Sequence, residues 1–309
     1  MNITQRSYAD ENGDFNRLCR FIIANNAHFR FYSTWSIGRL VDWKYGLYDN
    51  KRTFSAFCNQ NAQLWFDGFG ELVGCIISES GDEGFAILTL PGYRFLFTEM
   101  LGWVMENWHA RGPALSTEIT ERQEIEAAAL ERCGFRREST FFTRRFDLTG
   151  ELIPRFPLEE GFSIVDMRAH PDFRAQRILR ADAFQNKTGL SEAELAEALK
   201  FFNYSQSGPI YHADTDLCVL SPDGQLVAGC EALIDAHNCE ADIERVCTLS
   251  SYRKRGFARA VIQECLYRLK AMGMRSAYIM GYSPAAIALY GSLGAVEEVR
   301  GLSYTQNVD

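Results

Sequence analysis

Nowhere in its 309 residues does the chain carry the ~18 consecutive apolar residues that a membrane-crossing helix needs, so no such helix is expected. Residues 1–14 are polar and acidic, with neither a basic opening nor an apolar stretch, which argues against a secretory signal. Basic residues are not in excess either: 32 Lys and Arg face 40 Asp and Glu, a net charge of −8 that repels nucleic acid and anionic membrane. The nine cysteines are odd in number and include no C-x-x-C pair, and several sit inside apolar runs. They read as reduced, buried thiols, which together with the missing leader sets the expectation of a soluble, cytoplasmic protein. His170, His212 and His237 stand alone without metal-ligand spacing, so no metal is expected. What the chain does have is a globular balance, 47% hydrophobic and 23% charged, over a length that favours two domains of ordinary size.

Three ordered landmarks recur at nearly constant offset, the mark of an internal duplication. Gly70-Glu71-Leu72-Val73 follows an Asp-Gly turn, and Gly224-Gln225-Leu226-Val227 does the same 154 residues later. Tyr93-Arg94 precedes an amphipathic stretch, as Tyr252-Arg253 does 159 residues on. Ala129-Leu130-Glu131-Arg132-Cys133-Gly134-Phe135 corresponds to Leu289-Tyr290-Gly291-Ser292-Leu293-Gly294-Ala295 at an offset of 160. The halves are expected as domains 1–150 and 155–309, joined where Thr149-Gly150, Pro154 and Pro157 break regular structure.

In the second half the patterns predict a strand at 162–167, a helix at 171–183 and a second helix opening at Ser191, where Glu194 completes a capping box. Strands follow at 216–220, 225–233 and 241–249, then a helix at 256–272, a strand at 276–281 and a helix at 284–293. Leading helices, a β-meander and a β-α-β-α ending define an α/β fold, a mixed and mostly antiparallel sheet flanked by helices. Apolar residues at 258, 261, 262, 265, 266, 269 and 272, and in the first half at 97, 100, 101, 104 and 108, mark core stripes of two helices.

The segment Arg253-Lys254-Arg255-Gly256-Phe257-Ala258 runs from a strand through a basic turn into a helix. A helix start offers unpaired amides and partial positive charge, a seat for a pyrophosphate. Gly256 and Ala258 would allow close approach, and Arg253, Lys254 and Arg255 would add charge. A basic surface turn that merely opens a helix has the same local pattern.

Arg253-x-x-Gly256-x-Ala258 resembles the Q/R-x-x-G-x-G/A signature of the GNAT N-acetyltransferases, and residues 282–294 are similar to that family's N-x-x-A-x-x-L-Y-x-x-L-G block. The likeness spans the second half and, degraded, the first, an arrangement similar to the tandem, mycothiol-synthase-like branch. Ser283 stands where the family has asparagine and Ala295 where it has phenylalanine. The resemblance implies two tandem GNAT folds and acetyl-CoA as cosubstrate, its pantetheine arm lying along Val246, Cys247 and Thr248 and near Ser283. It implies that Tyr290 protonates the departing thiolate, where a packed helical tyrosine is the other reading.

Glu244, and after it Asp242, are candidate general bases for an amine acceptor, lying two apart on one strand face. Both could equally solvate the strand end. Cys247 alternates to the opposite face in an apolar strand, which argues against an acyl-carrying role. Aromatic residues between Phe201 and His212 are expected to wall the acceptor pocket.

The first half has lost its cradle: Phe97 falls where Gly256 stands, Glu99 adds negative charge and Leu130 replaces Tyr290. It is expected to be a degenerate copy that binds no CoA and supports the second. Its dense aromatics, Phe29, Phe31, Tyr32, Trp35, Trp43, Tyr45 and Tyr48, are expected mainly in packing. The expected function is acetyl transfer from acetyl-CoA to a primary amine of a small molecule or peptide by direct attack, in a monomer or homodimer. A non-catalytic acyl-CoA sensor, or an acyltransferase with another acceptor or acyl chain, has the same sequence features.

Overall fold

The computed structural model describes residues 2–29, 35–45 and 56–307, without the side chains of residues 201–205. The chain divides into two compact units, residues 1–142 with 299–309, and residues 143–298. Phe31, Tyr32 and Tyr48, and the side chains of Phe201, Phe202 and Tyr204, lie outside what is described.

The first unit contains β1 (Thr4–Ser7), α1 (Asp14–Phe29), α2 (Ile37–Tyr45), a short α3 (Phe57–Asn61), β2 (Ala62–Phe66), β3 (Leu72–Ile77) and β4 (Gly84–Thr89). It continues through α4 (Phe97–Asn107), β5 (Ala114–Thr120), α5 (Glu124–Arg132) and the first half of β6 (Arg136–Asp147). Strands β1 to β4 form an antiparallel meander, and β4 then pairs β5 in parallel. The turn between β2 and β3 closes because Asp67 accepts the amides of Phe69 and Glu71, at 2.9 and 3.0 Å, while Gly70 takes φ +80°. Phe97, Met100, Leu101, Val104 and Trp108 are all buried, so the stripe expected on α4 faces the core. Trp35 and Trp43 are buried as well, whereas Phe29 is 45% exposed.

The last strand, β12 (Glu297–Asn307), pairs antiparallel with β5 from Gly301↔Thr120 to Asn307↔Ala114. Its residues from Val299 onward therefore belong to the first unit, although they come last in the chain.

The second unit holds β7 (Ser163–Asp166), α6 (Phe173–Gln185), α7 (Glu192–Gln206), β8 (Tyr211–Leu220), β9 (Leu226–Asp235), β10 (Glu240–Thr248), α8 (Phe257–Ala271), β11 (Ser276–Gly281) and α9 (Pro284–Gly291). Strand order is β7-β8-β9-β10-β11, antiparallel up to β10 and parallel between β10 and β11. This is the mixed, helix-flanked sheet expected from the sequence, with no expected element missing. Asp172 caps α6 by accepting the amide of Ala175 at 2.9 Å, and the Ser191–Glu194 capping box opens α7 in both directions.

On α8, Val261, Ile262, Cys265, Leu266 and Leu269 are buried against β8, β9 and β10, each contributing roughly 1.5–3 kcal/mol for a fully buried side chain of Leu or Ile size. Met272, expected on the same stripe, is 39% exposed because the helix ends at Ala271.

Candidate functional site

Two features of β10 open the second unit's sheet. Its parallel pairing with β11 runs from Glu240↔Ser276 to Ile243↔Ile279 and then stops, although β10 continues to Thr248. On the other edge the pairing with β9 shifts register between Glu244 and Cys247, a β-bulge in which Arg245 takes φ +54°. β10 therefore parts from β11 beyond Ile243, leaving the β11-side edge at Val246, Cys247 and Thr248 free while Cys247 and Thr248 still pair with Gly229 and Ala228 of β9.

The cradle follows directly. Ser250 donates its amide to Asp182 of α6 at 2.6 Å and its hydroxyl at 3.0 Å, which pins the chain leaving β10. Lys254 at φ +64° and Gly256 at φ +84° then turn the backbone into α8. With Gly256 as N-cap, the amides of Phe257, Ala258 and Arg259 have no partner one turn back, and they point out of the helix start with its partial positive charge. Phe257 itself is buried among Phe162 and Tyr252, so it contributes its backbone rather than its ring.

The three cations of the turn are not equivalent. Lys254 is exposed, and Arg253 folds back toward the carbonyls of Thr248 and Ala183 at 3.5 Å. Arg255 is engaged: it forms a forked ion pair with Glu159 and lies about 5 Å from the rings of Phe162, Tyr252 and Phe257. Gly256 also has a role the sequence did not suggest. A Cβ there would sit 2.3 Å from the ring of Phe156, so the space on that side is filled by the connecting segment and not kept open for a ligand.

Across the opening, Ser283 caps α9 by accepting the amide of Ala286 at 3.2 Å. Tyr290 on that helix is 7% exposed, and its ring packs on Gly281, where a Cβ would lie 3.0 Å away. Burial first, and then the charge of Glu244, raise the Tyr290 hydroxyl above its ordinary pKa, so it stays protonated at neutral pH. The charge of Glu244 is thus felt at Tyr290, 46 positions further along the chain. Glu244 is half-buried and Asp242 is buried on the same face, opposite Glu231 and Leu233 of β9. Cys247 is buried, donates to the carbonyl of Gly229 at 3.7 Å and has its thiol pushed up to about 12 by burial, so it is no nucleophile at neutral pH.

A buried ionic cluster beside these residues escaped the sequence reading. Asp216, Glu231 and Glu244 are register partners on β8, β9 and β10, so their carboxylates share a face. Arg180 of α6 lies 3.3 Å from Asp216 and 3.2 Å from Glu231, and Arg245 pairs with Glu231. Asp216 also accepts from Gln176 at 2.7 Å and from Tyr211 at 3.1 Å. Burial, followed by the charge of Glu231, raises the Asp216 carboxyl; its two arginines keep Glu231 low despite complete burial. Acidic residues inside otherwise apolar strands were the available signal.

In the first unit the corresponding positions do other work. Arg94 forms a forked pair with buried Glu126, at 2.8 and 2.6 Å, and Phe97 and Leu130 are core. Strands β4 and β5 also part, after Phe85↔Thr117, over a pocket of about 100 Å³ lined by residues including Ile87, Leu88 and Phe97. Among the described residues no His, Cys, Asp and Glu group could hold a metal, and no helix is long and apolar enough to cross a membrane.

Residues 178–295, which hold the parted strand pair and the basic helix start, match the model of the acetyltransferase (GNAT) family. That match lies within the second unit and covers less than half of the chain; it makes this unit similar to a family that performs acyl-CoA-dependent acyl transfer. The whole chain shares its fold with a GCN5-related N-acetyltransferase from Sphaerobacter thermophilus, at 18% identity and TM-score 0.66 over 99% of this chain and 96% of that one. A tandem GNAT protein from the clavulanic acid biosynthesis pathway is similar over 100% and 99% of the two chains, at 13% identity and TM-score 0.67. An acetyltransferase of the GNAT family from Colwellia psychrerythraea covers 98% and 100%, at 12% identity and TM-score 0.56. No curated protein matches the chain.

Proposed function

We propose that the second unit transfers an acetyl group from acetyl-CoA to a primary amine by direct attack, and that the first unit binds no CoA. The observation that carries the reading is the parting of β10 from β11 beyond Ile243, with the free amides of the α8 start following on the same strand. The residues present fit the cosubstrate: the amides of Phe257 and Ala258, with Arg253 and Lys254, for the pyrophosphate, and the free edge of Val246, Cys247 and Thr248 for the pantetheine amides. Bound acetyl-CoA supplies an activated thioester.

The chain's own groups supply the proton steps. An amine is protonated at neutral pH and must lose a proton to attack, and Glu244 is the acceptor, with Asp242 behind it on the same face. Tyr290, held protonated by burial, donates to the sulfur as the thiolate leaves. With Asp242 and Glu244 lining this face, the acceptor that fits is cationic, such as a small polyamine-like molecule or a peptide N-terminus. The test is thiol release from acetyl-CoA over a panel of amines, with the product identified by mass. CoA binding with no thiol release on any amine, unchanged by Tyr290→Phe, would instead make the domain an acyl-CoA sensor. The first unit enters the proposal as a support, since Arg94 is taken by Glu126 and Phe97 and Leu130 are core.

A further inference from the structure

The bulge in β10 is held by a clamp. In a regular strand Arg245 would point to the face opposite Glu244, because successive side chains alternate. Here its left-handed backbone, φ +54°, turns it so that the guanidinium reaches Glu231, the register partner of Glu244. Glu231 is 2% exposed and is held from the other side by Arg180, which spans to Asp216. A non-glycine residue in this conformation is strained and persists where surrounding contacts over-determine it. The contacts that do so are these: two arginines from two elements converge on one buried carboxylate.

The position of the clamp matters. The bulge begins at the residue after Ile243, the last to pair with β11, and ends at Cys247, where pairing with β9 resumes. Straightening it would shift Val246, Cys247 and Thr248 by one place relative to β9 and turn each side chain to the other face.

We propose that Arg245, clamped by Glu231 against Arg180, is a positioning residue that holds this bulge and so aims the free edge at Val246–Thr248 toward the acyl-pantetheine end of the cosubstrate. The inference rests on the acyl-CoA reading above. It separates two parts of the ligand site: the phosphate cradle on α8, which the clamp does not touch, and the strand edge, which it sets.

Two ligands read these parts separately. Acetyl-CoA engages both, whereas adenosine 3′,5′-bisphosphate has no pantetheine arm and engages the cradle alone. Affinities for both are measured by calorimetry on the full-length wild type, Arg245→Ala, Arg245→Gly and Glu231→Gln, after circular dichroism shows that each is folded. Alanine and glycine remove the same ion pair, but glycine adopts φ +54° freely, so their difference isolates the backbone. Arg245→Ala is expected to weaken acetyl-CoA binding about tenfold relative to Arg245→Gly, the size of a left-handed backbone penalty for a residue with a Cβ. Glu231→Gln, which keeps Arg245 but loosens the clamp, is expected to weaken acetyl-CoA as well, and bisphosphate affinity is expected to hold in all three.

The positioning role is overturned if Ala and Gly variants bind acetyl-CoA equally, or if bisphosphate affinity falls in parallel with that of acetyl-CoA. A wild type that binds neither ligand overturns the acyl-CoA reading, and this inference with it. Should Arg245→Ala lose folding, the Gly and Gln variants still decide the matter, because unaltered acetyl-CoA affinity in Glu231→Gln removes the clamp from the argument.

Discussion

Gly256→Ala is the perturbation whose cost can be worked out most directly. Gly256 sits at φ +84°, a conformation that costs an L-residue with a Cβ roughly 1–2 kcal/mol. The new methyl would also lie 2.3 Å from Cε1 and 2.7 Å from Cζ of Phe156, so the ring must move. Phe156 is already 39% exposed, and its amide is held by Gln263 at 2.7 Å, so the ring can swing outward without unravelling the segment. Losing its remaining contacts adds about 1 kcal/mol, part of the value of burying an aromatic side chain. The expected total is about 2–3 kcal/mol, read by urea unfolding of wild type, Gly256→Ala, Phe156→Ala and the double variant.

The double-mutant cycle separates the two terms. Phe156→Ala removes the clash but not the strain, so the double variant should be more stable than the sum of the singles by about 1 kcal/mol. CoA affinity should remain reduced in the double variant, because the turn that aims the α8 amides depends on the left-handed residue. Full stability in Gly256→Ala, or strict additivity, would refute the steric account. Full recovery of CoA affinity in the double variant would show that the ring, and not the turn, governs the site.

Tyr290→Phe should lower kcat by about 10²-fold while leaving CoA affinity nearly unchanged, as expected for a lost proton donor; an unchanged kcat on a competent amine removes Tyr290 from the mechanism. Ser283→Ala should cost about 1 kcal/mol through loss of the α9 cap, measured by thermal unfolding, and no loss would mean that the cap carries no weight. Asp216 is raised from 3.8 to about 7 in the native state, so between those values the folded chain holds a proton that the unfolded chain has released. Its contribution is therefore greatest at low pH and declines as pH rises toward 7, by at most about 1.4 kcal/mol per unit. Unfolding curves of wild type and Asp216→Asn should show their stability difference shifting in that sense between about pH 4 and 7; a constant difference contradicts it.

Which parts of this were legible beforehand follows from range. The capping box at Ser191, the turn at Gly224 and the stripe at Val261–Leu269 are specified within a few residues, and each forms where the sequence places it. The cradle at Arg253–Ala258 is local in the same way, a strand end, a turn and a helix start. Met272 departs from its stripe because the helix stops one residue earlier, and helix ends answer to capping more than to periodicity.

The sequence by itself determined the order of elements in the second half and the GNAT-like motif, and it named Glu244, Asp242 and Tyr290 as candidates. Tertiary structure alone decided that β12 closes the first unit on β5, that Phe156 occupies the space beside Gly256, and that Arg255 is spent on Glu159. It also decided that Arg180, Asp216, Glu231 and Arg245 meet around the bulge. The reason is physical: strand neighbours and bulges set which side chains share a face. Those choices are made by packing between segments far apart in the chain, where local pattern carries no information.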